Sequence, residues 1–154
     1  MELSIIFYHP KNPQNLQDVA VIAYSANARL YVVRRPGTDY RLESLPDYVR
    51  SNMVFVDSVE EVVKLASADK YIVLEVYGDK LLSEVEPAEK TALIIGAEDY
   101  GIPRTVLEKI PEPRDLVVIP VGVEGMSYNV VASLVMALYE LKRGNGREKR
   151  ARRS

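Results

Sequence analysis

Short apolar runs alternate with longer amphipathic stretches along almost the whole chain, and this alternation predicts the fold class. The run at 15–28 places Leu16, Val19, Ala20 and Ala23 at helical spacing. We predict strands over 3–8, 30–34, 53–56, 70–77, 91–95 and 115–119, and helices over 15–28, 46–51, 58–67, 104–110 and from 129 to about 143. Strands that alternate with helices favour a parallel α/β sheet with helices on both faces.

Two glycine-containing loops follow strand ends and are candidates for ligand binding. Gly96 follows the strand at 91–95, and glycine allows a backbone to approach a ligand closely. The second loop follows the strand at 115–119 and leads into a helix that is apolar on almost every side, which is typical of a buried helix. Ser127 and Asn129 stand where that helix begins, and both are good capping residues. In α/β sheets, ligands bind at the carboxyl ends of the strands.

The composition limits the chemistry that the chain can carry. The absence of cysteine excludes disulfides and thiolate metal sites, and a single histidine argues against a histidine-based zinc site, so we predict no metal. No signal peptide and no apolar run of membrane-spanning length is present, from which we expect a cytoplasmic protein.

Charge is distributed unevenly, although the net charge is only −2. Residues 142–154 carry seven basic side chains and one acidic one, which leaves the rest of the chain acidic. We predict one folded domain over 1–143 and a disordered basic tail over 144–154. The tail can neutralise nucleic-acid phosphates through side chains such as Arg147, Lys149 and Arg150. The alternative is a solvated, solubilising end.

Three segments around the strand ends carry a family resemblance. They are FYHP at 7–10 with NPQNL at 12–16, LIIGAEDYGI at 93–102, and IPVGVEGMSYN at 119–129. In order, spacing and context they resemble the three motifs of the SpoU-type (SPOUT) RNA 2′-O-methyltransferases, over about residues 3–143. In length and in its first 35 residues the chain is most similar to the members that methylate the tRNA wobble position.

The resemblance implies a fold, a cofactor and partners. It implies a parallel-sheet SPOUT fold with a deep trefoil knot at the carboxyl end, whose loops near 96–101 and 119–128 hold S-adenosylmethionine (AdoMet) in a bent shape. It also implies a homodimer formed through the first and last helices, and RNA as the partner, with tRNA favoured and ribosomal RNA possible. No membrane partner is expected.

The resemblance also implies roles for individual residues. Those expected to form the cofactor site are Leu74, Gly96, Ile119, Met126, Ser127 and Tyr128. Asn15, Glu98 and Asn129 are expected to position the reacting groups. Arg29 and Arg34, which flank the second strand, are expected to contact RNA. The structural alternative is that Ser127 and Asn129 only cap the last helix and Glu98 is a loop charge.

One departure from the family pattern concerns catalysis. The family's first motif has an arginine six residues after the asparagine, and here that position is Val21. Gln17, Tyr24, His9, Arg29, Arg34 and Arg35 are candidates to replace it. Three hypotheses follow: an AdoMet-dependent RNA 2′-O-methyltransferase, a catalytically degenerate RNA-binding protein, and a subunit that needs a partner for activity.

Overall fold

The computed structural model describes residues 1–120 and 129–153, and the side chains up to residue 143. The strands are β1 (Glu2–Tyr8), β2 (Arg29–Val33), β3 (Met53–Val56), β4 (Lys70–Leu74), β5 (Lys80–Leu81), β6 (Lys90–Ile95) and β7 (Arg114–Val118). The helices are α1 (Pro13–Ser25), α2 (Asp47–Arg50), α3 (Val59–Ala66), α4 (Arg104–Leu107) and α5 (Val130–Arg153), with single 3₁₀ turns at Leu42–Ser44 and Leu82–Glu84.

All seven strands form one parallel sheet in the order β3-β2-β1-β6-β4-β7-β5, which confirms the predicted fold class. Apart from Glu2, Ser4, Lys90 and Thr91, the central strands β1 and β6 are apolar, as expected of strands that helices cover on both faces. One core layer contains Leu16 of α1 and Leu134 of α5. The other contains Val62 of α3 and Leu107 of α4.

Helix α1 begins earlier than the pattern predicted. Its N-cap is Asn12, whose side chain accepts a hydrogen bond from the Gln14 N–H, and Pro13 occupies the first helical position. Proline is favoured there because its fixed φ suits the helix and its missing N–H needs no partner. The prediction that Asn15 caps this helix is therefore wrong. Asn15 lies in the first turn, where its side chain is available for a different contact.

Three further boundaries differ from the prediction. β4 ends at Leu74 rather than near residue 77, because the chain turns there and Gly78 N–H donates to the Glu75 carbonyl at 3.0 Å. The two-residue edge strand β5 was too short to predict. α5 continues to Arg153, ten residues beyond the predicted end. It runs through Gly144 and Gly146, and its last turns are rich in lysine, arginine and glutamate, which are good helix formers.

The knot prediction lies outside what the structure describes, because it involves residues 121–128. The disorder of the free tail stays a prediction, and in the structure α5 extends through this segment as far as Arg153. Among the described residues, no helix has both the length and the apolar character needed to span a bilayer.

Candidate functional site

A cavity of about 330 Å³ lies at the carboxyl ends of β4, β6 and β7, beside the start of α5. Six residues that the sequence singled out line its wall: Asn15, Leu74, Gly96, Glu98, Ile119 and Asn129. Parallel strands end at one edge of the sheet, which explains how segments so distant in sequence meet. Met126, Ser127 and Tyr128 lie outside the described residues.

The Glu98 carboxylate joins the loop after β6 to the beginning of α1. Its Oε1 accepts a hydrogen bond from the Lys11 N–H at 2.8 Å. Its Oε2 accepts from the Asn12 N–H at 2.8 Å and from the Asn15 side-chain amide at 3.2 Å. The unpaired N–H groups and partial positive charge at a helix start stabilise an anion. Glu98 is therefore more than an isolated loop charge, because it fixes the orientation of Asn15.

Asn129 combines two features that the sequence analysis presented as alternatives. Its Oδ1 accepts a hydrogen bond from the Ala132 N–H at 2.8 Å, so it caps α5 as predicted. It also lines the cavity wall. Capping places this side chain at the cavity and does not exclude a role there.

Glu75 is a cavity residue that sequence reasoning missed. It directly follows β4, and its Oε2 accepts a hydrogen bond from the Ile102 N–H at 2.7 Å. This contact ties the loop after β6 to the neighbouring strand. Gly101 adopts φ +61°, and a Cβ there would collide with the Glu75 carboxylate. The available signal was a carboxylate within the apolar run that was predicted as the strand at 70–77.

Gly96 is required for a reason other than the predicted one. A Cβ on Gly96 would lie 2.7 Å from the Gly101 carbonyl carbon and 2.9 Å from Ile102 Cγ1. The turn that forces this approach is closed by the Gly101 N–H, which donates to the Ala97 carbonyl at 2.8 Å. The glycine is needed for the loop to fold on itself, and close approach to a ligand stays a prediction.

Beside Glu98 lies a group that we term the rim cluster: His9, Arg35, Asp99 and Tyr100. His9 Nδ1 and the Tyr100 hydroxyl are 2.6 Å apart. The Arg35 guanidinium makes two hydrogen bonds to the Asp99 carboxylate, at 2.9 and 2.7 Å, and lies 4.7 Å from the centre of the Tyr100 ring. The cluster connects the ends of β1 and β2 to the loop after β6.

The charges of the rim cluster follow from its contacts. Burial, and then the nearby Arg35 charge, lower the pKa of His9, so its imidazole is neutral at pH 7. Hydrogen bonds from Arg35 hold the pKa of the Asp99 carboxyl well below its usual range. Burial raises the pKa of the Tyr100 phenol, and Glu98 contributes in the same direction. The cluster at neutral pH thus contains one ion pair, a neutral imidazole and a protonated phenol.

The other candidate replacements for the missing arginine lie elsewhere. Arg34 pairs with Asp57 at 3.3 Å, and Arg29 donates to the Ser51 carbonyl at 3.1 Å. Val21 is 45% exposed and is not among the described residues that line the cavity. The same holds for Gln17, which donates to the Arg41 carbonyl, and for Tyr24, which contacts Tyr48. Of these candidates, only His9 and Arg35 lie beside the Glu98 loop.

The basic tail and the metal prediction involve residues that the structure describes only in part. The side chains of Arg147, Lys149 and Arg150 lie outside the described residues, so their predicted contacts remain untested. Within the described part of the chain, no three His, Asp or Glu side chains converge as a metal-binding group.

Comparison with known proteins agrees with this site. The model of the SpoU rRNA Methylase family matches residues 2–139, which is most of the chain. The protein therefore belongs to the SpoU family of RNA methyltransferases, whose members use AdoMet. No curated protein sequence matches the chain significantly.

Solved structures share the fold. A Bacillus anthracis protein assigned to the RNA methyltransferases is 22% identical, with a TM-score of 0.79 and 94% of each chain covered. A structure reported for the 2-OH methylation of C/U34 on tRNA is 24% identical, with a TM-score of 0.79, and the match covers 94% of this chain and 97% of that one. The SpoU methyltransferase AviRb from Streptomyces viridochromogenes, in complex with AdoMet, is 22% identical at a TM-score of 0.73, with 90% of this chain and 56% of that chain covered.

The cavity fits the family's cofactor in size and chemistry. Its volume falls within the usual range for small-molecule sites. Apolar side chains such as Leu74 and Ile119 line it together with backbone from three strand ends, and Glu75 and Asn129 add polar groups. An adenosine has a flat base and two ribose hydroxyls, which require an apolar slot with a few hydrogen-bonding groups.

Proposed function

We propose that the protein transfers a methyl group from AdoMet to a ribose 2′-hydroxyl of RNA, with tRNA the favoured substrate. The observation that carries this proposal is the hydrogen bond between Glu98 and Asn15 on the wall of the cavity. This hydrogen bond joins an asparagine of the first motif to a glutamate of the second motif. Asn129 of the third motif lines the same cavity. The tRNA preference is supported by the likeness to the structure reported for methylation of C/U34 on tRNA.

Positioning is the main task of this chain in the proposed reaction. AdoMet, when bound, supplies a methyl group on a positively charged sulfonium. Leu74, Gly96 and Ile119 would hold the adenosine part against the strand ends. Correct alignment of a donor and an acceptor can contribute roughly 7–11 kcal/mol to lowering a barrier.

Asn15 and Asn129 would orient the ribose hydroxyl. Because Asn15 Nδ2 donates to Glu98, the amide directs its Oδ1 away from that carboxylate, where it can accept a hydrogen bond from a substrate hydroxyl. As the hydroxyl oxygen bonds to the methyl carbon, the bond between that carbon and the sulfonium sulfur would break, and the hydroxyl proton would pass to a base. His9 and Arg35 are the nearby side chains that remain candidates to assist this step, since Val21 has no donor and no charge.

The RNA backbone requires cationic contacts outside the cavity, and for these we propose Arg29, Arg34 and the tail residues Arg147, Lys149 and Arg150. The Arg34–Asp57 pair is exposed, with side-chain exposures of 52% and 80%. Exposed ion pairs contribute little free energy, so Arg34 can exchange its carboxylate for a phosphate. The tail would add salt-sensitive affinity.

We also propose that the protein is a homodimer. α5 leaves Val135 and Tyr139 exposed, at 49% and 68%, and the neighbouring α1 leaves Val21 and Tyr24 exposed. Both pairs lie at helical spacing on helices that share one core layer. A two-fold interface between copies would cover this apolar surface. Light scattering that reports a 17.3 kDa monomer at micromolar concentration would contradict it.

The experiment for the proposed function is transfer of labelled methyl groups from AdoMet to purified tRNA and, separately, to ribosomal RNA. Methylation of the 2′-hydroxyl protects the adjacent phosphodiester from alkaline hydrolysis, so the label should remain in an alkali-resistant dinucleotide. We expect tRNA to yield this labelled, alkali-resistant dinucleotide. Label released as a modified base would contradict ribose methylation, and label in ribosomal RNA alone would contradict the tRNA preference.

A second candidate function is RNA binding without catalysis, which Val21 in the first motif favours. This alternative expects the wild type to bind cofactor and RNA but to transfer no label. Val21→Arg should then yield measurable transfer. If the catalytic group has instead moved, the wild type should be active, and Val21→Arg should change its rate little. Inactive wild type that gains activity only with a second protein would indicate the third hypothesis, a subunit that needs a partner.

A further inference from the structure

The Tyr100 side chain is unusual among the aromatic residues at this edge of the sheet. It is 46% exposed, whereas the nearby Tyr8 and Tyr40 are buried. It stands two positions after Glu98 in the loop that lines the cavity. An exposed ring at the edge of a site, in a loop fixed by internal contacts, requires an explanation other than core packing.

Three contacts fix the ring in place. Its hydroxyl is 2.6 Å from His9 Nδ1, the Arg35 guanidinium lies 4.7 Å from the ring centre, and its own backbone N–H donates to Asp99 Oδ1 at 3.0 Å. Arg35 is in turn fixed by its two hydrogen bonds to Asp99. The ring is thus held in one orientation while nearly half of the residue remains open to solvent.

We propose that Tyr100 is a stacking site for an unpaired nucleobase of the RNA substrate. This inference rests on the proposed function, because it concerns how the same site recognises RNA. Proteins read single-stranded RNA by stacking splayed-out bases on aromatic rings. A ring that is already fixed loses little conformational entropy when a base stacks on it. The Arg35 guanidinium, paired with Asp99, lies over one face of the ring, so a base would stack on the opposite face.

The test compares a single-stranded oligouridine of about twelve nucleotides with an abasic ribose-phosphate strand of equal length. The two probes carry the same charge, so a difference in affinity reports contacts to bases. Fluorescence anisotropy should show that the wild type prefers oligouridine by about five- to 100-fold. Tyr100→Ala and Tyr100→Leu should lose most of this preference, while Tyr100→Phe should keep it.

Two controls separate the loss of stacking from the loss of any exposed tyrosine and from damage to the loop. Tyr48→Ala removes another exposed tyrosine, 58% exposed on α2, and should leave the preference unchanged. Binding of S-adenosylhomocysteine to each variant should equal that of the wild type, which shows that the loop and cavity are intact. If Tyr100→Ala fails to fold, Tyr100→Leu retains the apolar bulk and supports the same comparison.

A spectroscopic variant gives an independent readout. The chain contains no tryptophan, so Tyr100→Trp places a single fluorescent indole at the proposed stacking site. Oligouridine should quench this fluorescence and the abasic strand should not. The inference would be overturned if the wild type and Tyr100→Ala showed the same preference for oligouridine, or if bound oligouridine did not quench the indole. Either result would leave the proposed methyl transfer standing. If the wild type neither bound RNA nor transferred methyl groups to it, both the inference and the proposed function would be overturned.

Discussion

The Glu98 carboxylate accepts a hydrogen bond from the Asn15 amide at 3.2 Å, across 83 residues of sequence. The same carboxylate accepts from two backbone N–H groups that precede α1. The orientation of Asn15 therefore depends on a side chain at position 98 that offers two acceptor oxygens. If Asn15 and Glu98 act together at the cavity, a small change at either should have a large effect on transfer.

Replacing Glu98 by glutamine tests this dependence. An amide has one acceptor oxygen, so at least one of the three N–H partners loses its hydrogen bond. We expect a loss of about 1–3 kcal/mol in the free energy of unfolding, measured by urea denaturation, and roughly a 100-fold lower rate of transfer. Glu61→Gln is the matched control, since that side chain accepts a single hydrogen bond from the Asp57 N–H. Equal effects of the two substitutions would contradict a special role for Glu98.

Gly96→Ala tests whether the loop after β6 needs a glycine for its own packing. The added Cβ would be forced against the Gly101 backbone, and such overpacking costs about 1–3 kcal/mol. We expect reduced stability together with weaker binding of S-adenosylhomocysteine. Gly37→Ala provides the comparison, because a Cβ there meets nothing within 4 Å although φ is +77°. It should cost only the strain of its backbone angle and leave ligand binding unchanged.

His9 offers a direct measurement of the rim cluster's electrostatics, because it is the chain's single histidine. Burial and the Arg35 charge lower the pKa of His9 in the folded state below that of the unfolded chain. As the pH falls below about 6.5, the imidazole is therefore protonated in the unfolded chain before it is protonated in the folded protein. Folding stability should therefore decrease on acidification through that range. Proton NMR of the imidazole should give a pKa below 6.5, and Arg35→Gln should move it upwards. An unshifted pKa in the wild type would show that the imidazole is not held as described.

Truncation after Gly144 tests the basic tail. Each lost phosphate contact lowers the slope of log affinity against log salt by about one unit. We expect weaker RNA binding at low salt and a flatter salt dependence, with unchanged affinity for S-adenosylhomocysteine. Binding measured across a salt series by anisotropy provides the comparison with the full chain. Identical slopes for the two proteins would identify the tail as a solubilising end.

The sequence predicted the parallel sheet and the helices on its two faces, because these depend on local patterns, and it singled out six of the residues that line the cavity. Apolar runs identified most of the strands, and the family resemblance pointed to Leu74, Gly96 and Ile119, which line one cavity. The sequence could not predict the loop contacts, which depend on which side chains meet across the sheet edge. Glu75 and the Arg35–Asp99 pair were missed or left open for this reason, and so was the close approach of Gly96 to Gly101.

The central claim is that the cavity at the carboxyl ends of β4, β6 and β7 binds the methyl donor. Isothermal titration calorimetry with S-adenosylhomocysteine tests it most directly, using a pair of tryptophan variants. Val76, 46% exposed, lines the cavity, whereas Leu81, 42% exposed, is not among the described residues that do. We predict one site per chain in the wild type, affinity at least about tenfold weaker in Val76→Trp, and no change in Leu81→Trp. No binding by the wild type at millimolar ligand, or equal affinities in all three proteins, would contradict the assignment.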